Sequence, residues 1–382
     1  MTEAALDAEV AVIGLGAWGA STLWQLARRG VRAVGLDRFG RAHRFGASHG
    51  GSRMFRITCL EHPGLVPLAR RSLDLWRELE RESGRELLFG SGGLLIGSPD
   101  SQVVSGTLAA AAQHDIPIEK LDRAALLARY PQHSDIGVDD IGVWEPSARL
   151  IRPEEAVAAA LTCAEKAGAQ VHSGVQVLGV EQSGDTVRIH TSISSLRVRR
   201  AVITAGSWLP SLVELPGTRV LRMPVTWFRP TGTNLSYQLA DFPVFMRQLD
   251  AETVLWGCGA EGDYDVKLGL EQFGAHGVGL DLETMDRSIG AIDWAELSAL
   301  LPRYLPGLQP NPERIDLGML TITPDGQFLL GPLPTASSVL VGGGDNAHGF
   351  KHAAGIGEYL ADLACDERPR IDLSFADVRR LW

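Results

Sequence analysis

The sequence predicts an α/β fold with a Rossmann-like domain, joined to an α+β portion that contains an antiparallel sheet. Three observations favour this fold. A glycine-rich turn near the amino terminus stands between an apolar strand and a helix. The length of 382 residues suits two or three structural domains. Between about residues 217 and 315, helix-and-strand alternation gives way to polar, alternating segments typical of antiparallel strands.

The first βαβ unit is the clearest local pattern. Residues 9–13 (EVAVI) are predicted to form a strand, residues 20–29 a helix, and residues 31–36 a second strand that ends at Asp37. A helix amino terminus at this point favours phosphate charge. The pattern predicts a bound dinucleotide, without distinguishing FAD from NAD. The turn that carries it is Gly14-Leu15-Gly16-Ala17-Trp18-Gly19.

Each glycine of the turn has its own physical role. Gly14 permits the tight turn, Gly16 lets backbone N–H groups approach a pyrophosphate, and Gly19 lets the helix pack closely on the sheet. Asp37 stands about 20 residues further on, where a carboxylate can accept hydrogen bonds from a ribose hydroxyl. We therefore expect the adenosine end of the dinucleotide to lie here.

Composition and charge exclude several classes of protein. The net charge of −10 argues against a surface for nucleic acid or anionic membranes, and no apolar run reaches the length of a membrane span. The acidic amino terminus lacks the basic segment of a signal peptide. The four cysteines show no CxxC pair, and no His, Asp or Glu cluster has metal-ligand spacing. We expect a cytoplasmic protein with reduced cysteines and no metal.

Near the carboxyl end, the sequence again shows apolar strands followed by glycine turns, as in the first βαβ unit. Residues 201–205 form an apolar strand that enters a glycine turn at Gly206, and residues 338–341 form another before Gly342-Gly343-Gly344. The dinucleotide domain is therefore expected to be discontinuous. Helices are predicted at residues 66–82, 103–113, 123–129, 153–167 and 355–364.

Several short motifs, in the same order and at similar separations, resemble one flavoprotein family along nearly the whole chain. The sequence is similar to the monomeric sarcosine oxidase and N-methyltryptophan oxidase family, within the wider glycine oxidase and D-amino-acid oxidase superfamily. The resemblance implies FAD as the cofactor and a monomeric enzyme. It rests on residues 12–19, GASHGGSRMFR at 46–56, AGSW at 205–208, VKLG at 266–269 and HGFK at 348–351.

This resemblance divides the chain into five segments. FAD-binding segments are expected at 1–85, 151–216 and 316–382, and segments of the substrate domain at 86–150 and 217–315. In the family's terms, Asp37 contacts the adenosine ribose and the backbone of Val175 contacts adenine. The other expected FAD contacts are Gly14, Gly16, Ala17, Trp18, Gly19, Arg38, Ser48, Ser52, Arg53, Gly206, Trp208, Gly349, Phe350 and Lys351.

The resemblance also implies where chemistry occurs. Arg53 lies beside the flavin ring, where a cation stabilises negative charge on reduced flavin. Arg56 and Lys351 hold a substrate carboxylate, for which a bidentate guanidinium is well suited. His348 lies near the substrate. Lys267 lies on the other flavin face, where an ammonium promotes reaction with O2. Glu61 occupies the position of an acid that pairs with the substrate-binding arginine.

Three positions depart from the family pattern. Gly318 stands where many relatives carry a flavin-linking cysteine, so FAD is expected to be non-covalent. Glu271 replaces a histidine four residues after the lysine, and it could face a cationic group of the substrate or pair with Lys267. Trp256 replaces the tyrosine of sarcosine-specific relatives. Together these changes favour an N-substituted amino acid other than sarcosine.

The resemblance and these residues together predict an FAD-dependent amine oxidase that acts on a secondary or cyclic amine and reduces O2 to H2O2. Three alternatives remain open at this point. A dehydrogenase with another electron acceptor follows if Glu271 neutralises Lys267. An NAD-dependent reductase needs only the glycine turn. An FAD-bound interaction protein would have no use for Arg56, Lys267 and Lys351.

Overall fold

Strands outnumber helices in the part of the chain that the computed structural model describes, residues 5–90, 92–232, 234–272, 282 and 286–382. The helices are α1 (Ala17–Arg28), α2 (Leu65–Ser83), α3 (Gln102–Gln113), α4 (Arg123–Arg129), α5 (Pro153–Lys166), α6 (Ala295–Tyr304) and α7 (Ala353–Ala364). The strands are β1 (Ala8–Ile13), β2 (Ala33–Asp37), β3 (Arg53–Phe55), β4 (Leu88–Phe89), β5 (Gly93–Gly97), β6 (Glu119–Leu121), β7 (Ile141–Glu145), β8 (Arg149–Ile151), β9 (Gln170–Ser173), β10 (Val177–Ser183), β11 (Thr186–Thr191), β12 (Ser195–Ile203), β13 (Arg219–Phe228), β14 (Val244–Gln248), β15 (Thr253–Cys258), β16 (Val266–Gln272), β17 (Arg314–Ile322), β18 (Leu329–Leu333) and β19 (Ala336–Gly343).

The first sheet is the dinucleotide sheet. Strand β1 pairs in parallel with β2 and β12, β2 pairs with β9, and β12 pairs with β19. The antiparallel strands β10, β11 and β18 complete it. This sheet combines strands from both ends of the chain.

Side-chain alternation along β1 explains why residues 10–13 of this strand are all apolar. Val10 and Val12 pack into the core formed with α1, α2, α5 and α7, whereas Ala11 and Ile13 pack into a second core on the opposite face. A strand buried on both faces needs an apolar side chain at every position.

The second sheet is mostly antiparallel, in the order β17-β13-β16-β15-β14-β5-β7-β6. The exception is β14, which pairs in parallel with β5. Strand β17 pairs with β13 as far as Ile322. The expected segment boundary at residues 315 and 316 therefore falls inside a strand of the second sheet, and the chain returns to the first sheet only after Ile322.

A short third sheet joins the two larger ones. Its order is β3-β8-β4, with Arg53 opposite Ile151. Strand β3 thus places Arg53 where the two larger sheets meet, and Arg56 follows directly after its end. Within the residues that the structure describes, no helix combines the length and apolar character needed to cross a membrane.

Gly19 provides a direct test of the turn's packing. A Cβ at this position would lie 1.8 Å from the Gly14 carbonyl oxygen and 2.6 Å from Thr204 Oγ1. We expect Gly19→Ala to lower the free energy of unfolding by about 1–3 kcal/mol through overpacking, although alanine is intrinsically the better helix former. Thermal unfolding measures this. Gly40→Ala, where a Cβ meets nothing within 4 Å, is the control, and equal effects of both changes would contradict the packing argument.

Candidate active site

A cavity of about 1690 Å³ is lined by residues of both large sheets. Common single-ligand pockets have volumes of about 300–1,000 Å³, so this cavity has room for a cofactor and a substrate together. The lining includes the glycine turn after β1, much of the loop before β3, the facing sides of β13, β15, β16 and β17, and residues 342–351.

The glycine turn forms one end of the cavity. Gly14 adopts a positive φ of 87°, and a Cβ on it would lie 2.6 Å from Ala205 Cα. Gly16 caps α1, and the Ala17 N–H at the start of this helix donates to Ser48 Oγ at 3.0 Å. The turn therefore presents bare backbone and a helix amino terminus to the cavity, as phosphate binding requires.

Asp37 lies at the end of β2 and is buried. Its Oδ2 accepts a hydrogen bond from the Leu15 N–H at 2.7 Å, and its Oδ1 accepts from the Phe39 N–H at 2.7 Å. Sequence reasoning assigned Asp37 only to a ribose. The structure gives Asp37 a second role, because its carboxylate also holds the glycine turn in place. Each carboxylate oxygen keeps one further lone pair that can accept a hydrogen bond from a ligand.

Aromatic side chains cover this end of the cavity. The rings of Phe39 and Trp208 lie 5.2 Å apart, and Phe39 also contacts His43. Trp208 Nε1 is buried without a hydrogen-bond partner in the described residues. Sequence reasoning singled out Trp208 but missed Phe39 and His43. The remaining expected contacts Arg38, Val175 and Gly206 also line the cavity.

The carboxyl-terminal motif closes the cavity against α1. Trp18 Nε1 donates to the Gly349 carbonyl oxygen at 3.1 Å. Phe350 stacks at 6.0 Å on Trp76 and lines the cavity. Residues Phe350–His352 form a 3₁₀ turn that leads into α7, which begins at Ala353, two residues before its predicted start.

Two basic side chains, the buried Lys267 and the partly buried Arg53, lie where the two sheets meet. The Ser52 carbonyl oxygen accepts hydrogen bonds from Arg53 Nη1 at 2.7 Å and from Lys267 Nζ at 2.6 Å. Lys267 also donates to the Gly50 carbonyl oxygen at 2.9 Å. Burial and the nearby Arg53 hold the pKa of Lys267 well below its usual value. An anion formed in this cavity would be stabilised by the Arg53 guanidinium and would itself favour the charged ammonium form of Lys267.

Glu154 fixes the loop that these cations contact. From the first turn of α5, its Oε1 accepts hydrogen bonds from the Gly50 N–H at 2.6 Å and from the Gly51 N–H at 3.2 Å. Both glycines have positive φ angles, 95° and 71°. From the sequence alone, Glu154 is only a residue at the start of the helix predicted at 153–167, because nothing along the chain links it to residues about a hundred positions earlier.

Trp256 separates Lys267 from Glu271. The two residues stand on β16, four positions and therefore about 13 Å apart in an extended strand. Between them is Gly269, where a Cβ would lie 2.1 Å from the Trp256 ring. The indole therefore lies across the strand at Gly269. The alternative in which Glu271 pairs with Lys267 is wrong, since Lys267 donates to backbone carbonyls and Glu271 interacts electrostatically with Glu61, Arg56 and Lys351.

Arg56 and Lys351 meet at one carboxylate oxygen. Glu61 Oε1 accepts from Arg56 Nη2 at 2.7 Å and from Lys351 Nζ at 2.9 Å. Burial alone would raise the pKa of Glu61, but Arg56 and Lys351 hold it well below its usual range. The predicted contact of Glu61 with the arginine is present, and the lysine joins it. Both cations keep N–H donors for a further anion.

Glu145 is a positioning group that sequence reasoning missed. Its side chain is fully buried, and its carboxylate accepts from the Ile57 N–H at 2.7 Å, the Thr58 N–H at 3.1 Å and the Thr58 hydroxyl. Arg56 Nη1 in turn donates to the Thr58 carbonyl oxygen. Glu145 therefore fixes the backbone that orients Arg56.

His348 lies beside this cluster as a neutral imidazole. Burial, against the opposing effect of Glu61, lowers its pKa to about 4. Its ring packs 4.7 Å from that of Phe328, and Nδ1 has no hydrogen-bond partner in the described residues. A neutral ring with a free nitrogen can donate to or accept from a bound ligand.

Gly318 leaves space beside another neutral histidine. A Cβ on Gly318 would lie 3.2 Å from His49 Nε2 and 3.4 Å from the Gly46 carbonyl oxygen. Burial and then Arg53 lower the pKa of His49 to about 3. The structure thus brings Gly318 to the loop before β3, as the resemblance implies. No cluster of potential metal ligands occurs within the described residues.

Comparison with known proteins supports the resemblance. Residues 9–363 match the DAO family, described as FAD dependent oxidoreductases. The chain is 34% identical over 377 residues to the monomeric sarcosine oxidase of Streptomyces avermitilis, covering 98% of this chain and 97% of that protein. It is 30% identical over 371 residues to the N-methyl-L-tryptophan oxidase of Salmonella heidelberg, covering 96% and 97%.

Solved structures show the same fold. NikD, described as an unusual amino acid oxidase essential for nikkomycin biosynthesis, aligns with a TM-score of 0.84 and 25% identity over 98% of each chain. Glycine oxidase from Geobacillus kaustophilus aligns with a TM-score of 0.80 and 18% identity over 97% of this chain and 98% of that one. The predicted mixed fold with a Rossmann-like domain is confirmed.

The family match settles the choice between FAD and NAD that the glycine turn left open. It spans nearly all of the chain, and the segments that carry the resemblance converge on one cavity. The protein belongs to the DAO family of FAD-dependent oxidoreductases.

Proposed function

We propose that this protein oxidises the C–N bond of an N-substituted amino acid, with a secondary or cyclic amine, to an imine and reduces O2 to H2O2. The observation that carries the proposal is the convergence of Arg56 and Lys351 on one oxygen of Glu61, inside the cavity that also contains Arg53 and Lys267. The activities named for its relatives, sarcosine and N-methyl-L-tryptophan oxidation, support it.

The residues fit FAD. Gly14 and Gly16 leave the backbone bare for a pyrophosphate, Asp37 retains acceptor capacity for a ribose, and Trp208 Nε1 is a buried donor without a partner in the described residues. When bound, FAD supplies a two-electron acceptor that O2 can reoxidise. Ser52 and Arg53 would hold the end of the cofactor that lies furthest from this turn.

The substrate carboxylate binds to Arg56 and Lys351. Glu61 keeps these two cations close together without using all their donors. Glu145 holds the Ile57–Thr58 backbone, so Arg56 is oriented before the substrate arrives. Preorganisation of this kind lowers the entropy cost of placing the reacting carbon.

Negative charge that develops during the reaction meets Arg53 and Lys267. Both side chains are fixed by backbone carbonyls, so little reorganisation is needed when the charge appears. His348 lies on the substrate side as a neutral hydrogen-bonding group. Trp256 forms an apolar wall between the two regions and limits the shape of the substrate.

The alternatives have less support. A dehydrogenase with another electron acceptor was favoured only if Glu271 neutralised Lys267, and the two side chains are not paired. An NAD-dependent reductase does not agree with the family match. An FAD-bound interaction protein leaves the Arg56–Glu61–Lys351 cluster without a role. We further propose a monomer in the cytoplasm, supported by the free cysteines and by the relatives named monomeric.

An anaerobic screen tests the proposed activity. Purified protein is mixed with N-methylated and cyclic amino acids, and the flavin absorbance is followed in the absence of O2. We expect at least one such compound to bleach the flavin, and readmission of air to restore the colour with formation of H2O2. Bleaching by none of them, or by compounds without a carboxylate equally well, would contradict the proposal.

Arg56→Ala tests the carboxylate site. Loss of a charge-assisted contact costs about 2–5 kcal/mol, so we expect KM to rise at least tenfold while FAD remains bound. Steady-state kinetics measures the change. Arg70→Ala, an exposed arginine on α2, should leave KM unaltered, and an unchanged KM in the Arg56 variant would remove this residue from the site.

Lys267→Met tests the reaction with O2. The variant loses a fixed cation but keeps an unbranched side chain, so we expect reoxidation of reduced flavin to slow by about 10²-fold or more. Anaerobic reduction by the substrate should change little. Stopped-flow absorbance separates the two steps, and Lys120→Met, exposed on β6, is the control. Equal reoxidation rates in wild type and Lys267→Met would disprove the role.

Acid precipitation tests the linkage of FAD. Because Gly318 offers no side chain for a bond, we expect the yellow colour to remain in the supernatant when the protein is denatured. A yellow pellet would show a covalent link through another residue.

A further inference from the structure

Glu271 is a second, partly buried carboxyl group in the substrate part of the cavity. It lines the cavity on β16, on the same face of the strand as Lys267 and Gly269. No hydrogen bond joins its side chain to another side chain or backbone group of the described residues. The charged groups that face it in this part of the chain are Glu61, Arg56 and Lys351.

The two carboxyl groups differ in environment. Glu61 is bound to two cations and stays ionised. Glu271 has no such partner among the described residues, and burial followed by repulsion from Glu61 raises its pKa. Two carboxyl groups whose surroundings push their pKa values apart take different roles in proton transfer. Glu61 is the permanent counter-ion, whereas Glu271 is able to gain and lose a proton.

The substrate must lose a proton before it can be oxidised. An N-substituted amino acid in neutral water is a zwitterion, since an alkylamine has a pKa of about 10, as in lysine. An ammonium nitrogen has no lone pair with which to form the C=N bond, so its proton must leave before oxidation. The amine and the carboxylate share one carbon, so binding of the carboxylate to Arg56 and Lys351 brings the amine into the region of Glu271.

We propose that Glu271 binds the substrate as a zwitterion and accepts the proton of its ammonium group. The inference rests on the proposed function. One N–H bond of the ammonium breaks, and an O–H bond forms on the Glu271 carboxylate. The nitrogen keeps the electron pair, which is then free to form the C=N bond as the hydrogen of the adjacent C–H bond leaves with both bonding electrons, a hydride equivalent that bound FAD would accept. The proton on Glu271 returns to water when the product leaves.

The pH dependence of anaerobic flavin reduction tests this assignment. In the wild-type holoenzyme, we expect the rate at low substrate concentration to reach a plateau near neutral pH. It falls as pH decreases, because protonated Glu271 accepts no second proton. In Glu271→Gln, the free amine must form in bulk water. We expect the rate at neutral pH to fall by about 10²-fold or more and to rise tenfold per pH unit in alkaline solution.

Controls separate proton transfer from folding. Glu271→Asp retains a carboxyl group and should keep the neutral plateau at a reduced rate, and Glu252→Gln, exposed in the turn between β14 and β15, should behave as wild type. FAD content and thermal unfolding show whether each variant is folded. A Glu271→Gln profile that superimposes on the wild-type profile overturns the inference, whereas failure of every N-substituted amino acid to bleach wild-type flavin overturns the proposed function itself.

Binding measurements on the wild type give a second test that needs no variant. Trimethylglycine carries a permanent positive charge and no N–H bond, and tert-butylacetate has the same shape without the charge. We expect trimethylglycine to bind at least tenfold more tightly, measured by calorimetry or by perturbation of the flavin spectrum. Equal affinities would overturn the inference, because they would show that no anionic group faces the amine.

Discussion

The hydrogen bonds from Lys267 to the Gly50 and Ser52 carbonyl oxygens join the two halves of the protein. Lys267 lies on the second sheet, whereas the loop before β3 follows β2, a strand of the first sheet. A buried ammonium is costly unless its donors are satisfied, so the loop must bring its carbonyl groups to this point. Two positive-φ glycines and the carboxylate of Glu154 make that path possible. The cavity wall is thus a consequence of satisfying one buried cation.

Much of the fold could be predicted because the sequence patterns that indicate it lie within short stretches of the chain. The glycine turn with its strand and helix lies within about thirty residues, and each part reinforces the others. The parallel pairing of β14 with β5 could not be predicted, since it joins residues about 150 positions apart and has no turn of its own. The boundary inside β17 was missed for the same reason. Strand partners at long range are not encoded by periodicity.

The residues of the candidate site also divide into those that a local motif predicts and those that depend on contacts between distant parts of the chain. Arg53, Arg56, Lys267 and Lys351 were found through short motifs, and all four line the cavity. Glu145 was missed, because its role is to bind backbone N–H groups 87 and 88 positions away along the chain. A carboxylate that accepts from backbone leaves no pattern in its own neighbourhood. The relation of Glu271 to Lys267 was also undecided until the Trp256 ring was seen to lie across Gly269.

The bond from Trp18 to Gly349 spans 331 positions of the chain, and this separation has a consequence for biosynthesis. The glycine turn leaves the ribosome early, whereas the segment that closes the cavity against it leaves almost last. At the usual rate of synthesis of about 5–20 residues per second, the interval is about 15–65 s. Strand β12 reaches its place beside β1 roughly midway through that time, and β19 follows beside β12 only near its end. The complete cavity can therefore form only when synthesis of the chain is almost finished.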